Sequence, residues 1–324
     1  MGSRPTGNRR AAGVRTTHAR LDLVTPQAGL FRVVSDSPRS RRVPADGFRW
    51  EVGHDGVVTE FRASGQLTAT EWRVLLAVAA LAGLDGERVG ASTSGAQALW
   101  SGLGSQGVAA GRDGLRLVTS AYALLREAGL TDGGDNRRRL TESLTRLATV
   151  RQFLRQGAKI VSGANLLSFA HDEDSGNLVI LLSAQVARAA LGESKQHARV
   201  SLTEVRQLST PAAVILHGVL SARMRVGGRA TYHLDTLADL AYGPTDNPAT
   251  RRSRRRSIAT AVADLAKLVA WRWTVANGNV AVERIPEPRR TAHALPSHCA
   301  RVAVALRTPG SPQATDVKSV SDDS

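Results

Sequence analysis

One unit occurs twice in this chain and limits what it can fold into: a short helix, a polar turn, an arginine-opened helix and a β-hairpin. In the first copy, residues 119–128 carry helical spacing and stop at Gly129, and the turn Thr131-Asp132-Gly133-Gly134-Asp135 follows. Arg137-Arg138-Arg139 then opens a helix with Leu140, Leu144 and Leu147 along one side. Residues 150–154 and 159–161 read as strands about a Gln156-Gly157 turn. In the second copy, Asp235 caps a helix over 236–241, Tyr242-Gly243 ends it, and Pro244-Thr245-Asp246-Asn247-Pro248 makes the turn. Arg251-Arg252-Ser253-Arg254-Arg255-Arg256 opens the next helix, with Ile258, Val262, Leu265 and Val269 on its apolar side. Residues 271–275 and 280–285 flank Asn277-Gly278, the dipeptide that most favours a two-residue hairpin.

Helix, turn, basic helix, hairpin is the order of a winged helix. The expected fold class is therefore α+β, mainly helical, with two tandem winged-helix domains and basic disordered tails. Residues 1–46 hold nine arginines against three aspartates and read as a flexible tail. Residues 47–194 read as an N-terminal winged-helix domain, with a hairpin over 48–62 and a helix over 70–82. Within it, residues 85–114, rich in Gly, Ser and Ala, read as a long loop or insert. Residues 195–286 read as the C-terminal winged-helix domain, with helices over 201–207 and 211–225 and a short strand over 230–234. Pro211 suits a first helical turn, where its missing N–H is not needed. Residues 287–324, broken by prolines, read as a second tail.

The formal net charge is +15 and the isoelectric point near 11.3, which points to a polyanionic partner. No apolar run approaches the roughly 18 residues of a membrane span, so double-stranded DNA is the expected partner and a membrane is not. With Ile258 toward the core, Arg252, Ser253, Arg256, Thr260 and Lys267 point outward. Arg252 and Arg256 lie four apart, one above the other, where a guanidinium can pair bidentately with guanine. Arg251, Arg254 and Arg255 sit near the first turn and are assigned to phosphates, with Asn277 at the tip of the wing. The outward set of the first copy is Arg138, Arg139, Thr145 and Arg146; Arg137, which opens that cluster, is counted with them as a DNA contact, and Glu142 works against phosphate contact. A run of arginines is more often a solvated helix face. Here five cations in six residues repel one another, and the sequence offers no acid before Asp264 to relieve them.

Several short segments, in order, carry a family resemblance. They are Gly29-Leu30-Phe31-Arg32, the hairpin 48–62, Asn165-Leu166-Leu167-Ser168 running into residues 172–178, and residues 197–208. Leu216-His217, the arginine helix and Ala270-Trp271-Arg272-Trp273-Thr274-Val275 complete the set. Over residues 29–285 the chain resembles the RepC-type replication initiators of IncQ plasmids. The resemblance implies two winged-helix domains that bind direct repeats, called iterons, at an origin. It also implies melting of an AT-rich stretch and recruitment of a helicase, with a primase acting next. It carries over no catalytic residue, only Arg251 to Arg256 and the wing near Asn277 as DNA contacts. The start of the chain, residues 85–114 and the end after Pro288 depart from the family pattern.

No enzyme is expected, and no cofactor or metal. None of the lysines follows the glycine string of a P-loop, and the histidines lack the spacing of a nicking initiator's metal site. His171-Asp172-Glu173-Asp174 reads as a polar hairpin turn rather than a cation site, and His217 as a packed histidine rather than a ligand. A lone cysteine, Cys299, and the absence of an apolar leader suit a reducing cytoplasm. The competing reading is a winged-helix transcriptional repressor, which would usually add a ligand or dimer domain. A nonspecific nucleoid or membrane-surface protein is disfavoured by the clustering of the arginines. Monomer and homodimer both remain open.

Overall fold

The structure, a computed structural model, describes residues 16–34, 47–54, 57–93, 96–172, 176–195 and 197–286. Two helices buried on every side set its plan. Ala69–Asp85 (α2) buries every residue from Val74 to Ala80, and Pro211–Arg223 (α8) buries every residue from Ala212 to Ser221. A helix apolar all round has no solvent face and must lie inside. The two pack on each other, so close that Gly218 of α8 touches the Trp72 indole of α2.

In chain order the elements before α2 are His18–Asp22 (β1), Val24–Gln27 (α1), Phe48–His54 (β2) and Val57–Ala63 (β3). After α2 come Glu87–Val89 (β4), Gln97–Leu103 (α3), Gln106–Gly107 (β5), a 3-10 turn at Val108–Gly111, and Gly114–Thr119 (β6). Then come Ala121–Ala128 (α4), Gly134–Ala148 (α5), Arg151–Gln156 (β7), Lys159–Asn165 (β8), Leu167–Asp172 (β9), Asn177–Leu182 (β10) and Ala184–Ala190 (α6). His197–Ser201 (β11) and Leu202–Gln207 (α7) lead into α8. Arg229–His233 (β12), Leu234–Tyr242 (α9), Pro248–Leu265 (α10), Trp271–Ala276 (β13) and Asn279–Arg284 (β14) follow it. The strands form antiparallel sheets in the orders β1-β11, β4-β6-β10-β9, β12-β14-β13 and β2-β3-β7-β8-β5. The fold is thus mixed α/β rather than mainly helical, because strands separate most of the helices.

Three expectations change. Residues 16–34, placed in a flexible tail, belong to the core. β1 pairs with β11 in a register that sets Ala19 opposite Val200 and Leu21 opposite Ala198, all four buried. Asp22 then starts α1, accepting hydrogen bonds from the backbone N–H groups of Val24 and Thr25. Five residues of alternation disappear in a composition read over an arginine-rich stretch, and their partner lies far along the chain. Second, residues 85–114 are not a structureless loop. They hold β4, α3, β5 and the start of β6, and Leu99, Trp100 and Leu103 form a small second core with Val89, Ala96 and Leu181. Third, the arginine helix ends at Leu265, so Val269, expected on the core side, is 84% exposed. Leu268 takes the buried position instead, because the chain turns there before β13.

The boundary drawn between 194 and 195 crosses the β1–β11 sheet and the α2–α8 contact, and one continuous core runs through both sides. The remaining tail residues, 1–15, 35–46 and 287–324, lie outside the described residues, as do Glu173 and Asp174 of the acidic turn and Cys299. No helix of the described residues is long and apolar enough to cross a membrane.

Candidate nucleic-acid interface

α10 begins where the sequence demands. Asn247 caps it, its side-chain oxygen accepting from the N–H groups of Ala249 and Thr250, and Pro248 takes the first helical position. Ile258, Ala261, Val262 and Leu265 are buried against α8 and α9. That packing turns Arg252, Arg256, Thr260, Ala263 and Lys267 to solvent as one stripe, Lys267 lying just past the helix end.

The six basic side chains of this segment are not equivalent. Arg255 makes a two-point ion pair with Asp235 in the first turn of α9, which raises the guanidinium pKa and holds the carboxyl below its usual range. Arg254 donates to the carbonyl of Gly243 at 2.6 Å and lies over the Tyr242 ring. Arg251 donates to the carbonyl of Thr245 at 2.9 Å. Lys267 approaches Asp264 at 3.1 Å while remaining 70% exposed. Arg252 and Arg256 are exposed and have no hydrogen-bond or ion-pair partner among the described residues. Ser253 is exposed, and Thr260 donates back to the carbonyl of Arg256. The arginines assigned to phosphates are therefore braced by the α9–α10 turn, while the two assigned to bases are unengaged.

Two expectations are corrected here. The arginine cluster does have an acid in reach, because the turn folds α9 back and brings Asp235 to Arg255 across 20 positions of sequence. The cap of α9 is His233, whose ring accepts from the N–H of Asp235, rather than Asp235 itself. Separation in sequence hides both, since they depend on how two helices cross.

Asp264, in the sequence only the first acid after the arginines, anchors α10 in the structure. It is 4% exposed, and its Oδ2 accepts from the N–H groups of Ser209 and Thr210 at 2.8 and 3.0 Å. These bonds fasten α10 to the start of α8. Burial opposes ionisation, but the two N–H donors and then Lys267 outweigh it and bring the pKa from 3.8 to about 2. A folded-state value below the unfolded one stabilises above pH 4 and is lost as the pH falls toward 2. A depression of that size corresponds to at most ~2.5 kcal/mol, and solvent near Lys267 reduces it to about 1–2 kcal/mol. Asp264→Asn should lower stability by that amount at pH 7, and the difference should shrink by about half at pH 3. Urea midpoints of both proteins at the two pH values measure it; a difference that does not change with pH would remove the charge from the account.

The hairpin β13–β14 stands beside α10. Asn277 and Gly278 both have positive φ, 49° and 75°, as a type I′ turn requires of its two central residues. Its root is fixed: Glu204 accepts from the Trp271 indole at 3.3 Å and pairs with the buried His217 at 2.7 Å. Arg272 of β13 and Arg229 of the adjoining β12 both donate to Glu283 of β14, so two cations share one carboxylate there. The tip, from Thr274 to Asn277, is exposed and uncharged.

The first copy is built alike and charged differently. Leu140, Leu144 and Leu147 of α5 are buried, as expected. Each of its basic residues, however, faces a carboxylate. Arg137 makes two bonds to Asp132, at 2.7 and 2.9 Å, and Arg138 and Arg139 share Asp135. Arg146 donates to the fully buried Glu71, which also accepts from Ser143 and closes the capping box of α2 at Thr68. Thr145 donates back to the carbonyl of Thr141. On this helix the structure brings the outward residues together and pairs the cations off; on α10 it leaves two free.

A family described as Replication protein C (RepC) matches the chain over residues 14–286. No curated protein matches it. Among solved structures it is similar to a selenomethionine crystal structure of domains 2 and 3 of RctB, at 14% identity and a TM-score of 0.45. That match covers 82% of this chain and 100% of the other. It is similar also to a second crystal structure of the same domains, at 13% identity and a TM-score of 0.46, covering 82% of this chain and 97% of the other.

Proposed function

The chain belongs to the replication protein C (RepC) family, and on that premise we propose that it starts replication by binding double-stranded DNA at an origin through two winged-helix units. In this reading α10 enters the major groove, α9 braces it, and the β13–β14 hairpin is the wing along the neighbouring phosphates. The observation that carries it is the division of labour on α10. Arg251, Arg254 and Arg255 are held by the protein, whereas Arg252 and Arg256 project unpaired from one exposed stripe. An exposed, unpaired guanidinium pair four residues apart suits guanine edges. α4, α5 and the β7–β8 hairpin form the second unit, whose paired-off charges suit it to positioning rather than base reading.

Binding to successive direct repeats would place several copies side by side at the origin. The reading assigns no catalytic residue, so strand opening draws on binding and bending. Deforming a 20 to 30 base-pair site costs on the order of 1–6 kcal/mol, within reach of several bound copies. The plasmid helicase and then a primase would act on the opened strand, in the cytoplasm.

DNase footprinting on DNA flanking the gene tests this directly. The expected result is protection of repeated sites spaced near whole helical turns, with unpaired thymines at saturation by permanganate. The affinity should fall steeply with salt, with a log–log slope of about −5 to −9 for roughly six to ten phosphate contacts. A salt-insensitive affinity, or a single protected site without repeats, would overturn the initiator reading.

A further inference from the structure

Neither copy of the repeated unit uses Gly29-Leu30-Phe31-Arg32, yet the fold holds this segment firmly. The Phe31 ring packs on Trp72 at 4.9 Å. Arg32 N–H donates to the carbonyl of Leu67, and Val33 N–H donates to that of Ala241, at 2.9 and 2.8 Å. The backbone is thereby pinned between the start of α2 and the end of α9. The Arg32 side chain then crosses Gly243 so closely that a Cβ there would overlap its guanidinium.

Among the described residues no counter-charge is paired with that guanidinium. Its Nε is buried without a hydrogen-bond partner, and no carboxylate pairs with it among the described residues. Burial, and then the nearby Arg254, push its pKa below the usual arginine value; Asp239 works the other way without reaching it. A desolvated cation beside a second cation is unfavourable unless an anion joins them. The structure has a place for one. Arg32 and Arg254 line a cavity of about 370 Å³, with Thr250, Ser253 and Ser257 on one side of α10 and no carboxylate among the described residues of its wall. Ser253 and Ser257 are exposed, so the cavity opens to solvent on the side of the arginine helix. The Tyr242 ring and the Gly243 carbonyl fix the plane of Arg254, leaving its other donors for the cavity.

We propose that this cavity takes one phosphodiester of the DNA backbone, held by Arg32 and Arg254 and by the hydroxyls of α10. Two guanidiniums present paired donors to phosphate oxygens, which is the recognition arginine is suited to. The inference rests on the DNA-binding reading above and adds a contact from the N-terminal segment, outside both copies of the unit. Free orthophosphate shares the chemistry, and the experiment separates the two.

The full chain is compared with Arg32→Gln and Arg32→Lys on its footprinted duplex and on an unrelated one, after thermal melts show that each variant folds. Arg32→Gln should weaken binding about five- to tenfold on both duplexes and reduce the salt slope by about one, with base preference unchanged. Arg32→Lys should recover part of the loss. Methylphosphonate substitution, one linkage at a time, should find a linkage whose neutralisation weakens the wild type but not Arg32→Gln. Equal binding by Arg32→Gln and the wild type overturns the pocket while leaving the DNA reading standing. So does a methylphosphonate profile identical in both, even if millimolar orthophosphate alone stabilises only the wild type, since that marks a small-anion site. If the wild type binds no duplex, the DNA reading falls first and this contact falls with it.

Discussion

Arg256→Ala is expected to raise the Kd for the chain's own duplex site by about five- to 150-fold, ~1–3 kcal/mol, and to change the affinity for unrelated DNA far less. Arg256 is exposed and without a partner among the described residues, so its removal breaks nothing in the free protein. Stability should therefore stay within about 0.5 kcal/mol. Arg252→Ala should behave alike, and the double variant should lose less than the two losses added, because neighbours reading adjacent bases are coupled. Arg255→Ala is the control with the opposite signature. It leaves Asp235 unpaired beside the helix, so it should weaken binding to all sequences alike, by repulsion of phosphates. Arg138 shares Asp135 with Arg139, so Arg138→Ala should change specific binding less than Arg256→Ala. Titrations on the footprinted and a scrambled duplex at one salt concentration decide the matter. If Arg256→Ala loses equally on both, Arg256 touches phosphate and the bases are read elsewhere.

What the sequence made legible was local. The leucine stripe of α5, the stripe Ile258, Val262 and Leu265 of α10, the Asn277-Gly278 hairpin, Pro211 in the first turn of α8 and the outward stripe of α10 depend on residues a few positions apart, and each is where periodicity or turn chemistry puts it. What stayed hidden was long-range. β1 is a strand only because β11 lies beside it, and α3 is a helix with a core only because Leu181 and Val89 meet it. At the candidate interface the same division holds. That the arginines face outward follows from the wheel. Which of them are engaged follows from Asp235, Gly243 and Thr245, whose positions depend on the crossing of α9 and α10. Arg32 is the extreme case: it lies beside Arg254 only because a segment read as tail is folded against α9.

The hidden long-range contacts also govern stability, and Gly218 tests them. Gly218 sits in the middle of α8, where alanine would ordinarily stabilise a helix by about 1 kcal/mol. Here a Cβ would lie 2.6 to 2.7 Å from three atoms of the Trp72 indole. Trp72 is only 2% exposed and is backed by Phe31, so it has little room to retreat. Overpacking of this kind costs about 1–3 kcal/mol for a small insertion, more for a branched one, and outweighs the helical gain. Gly218→Val should therefore destabilise by about 2–3 kcal/mol and lower Tm by roughly 5–10 °C. The crowded atoms are Cζ2, Cε2 and Nε1, along the nitrogen edge of the indole, and phenylalanine lacks the outermost of them, so Trp72→Phe in the Gly218→Val background should recover part of the loss instead of adding its own. The contact joins α2 to α8, so far-UV dichroism and tryptophan fluorescence should melt together in the variant as in the wild type. A variant in which residues 195–286 keep their structure while the rest unfolds would show two independent domains after all. The α2–α8 joint would then be a surface contact rather than the centre of one core.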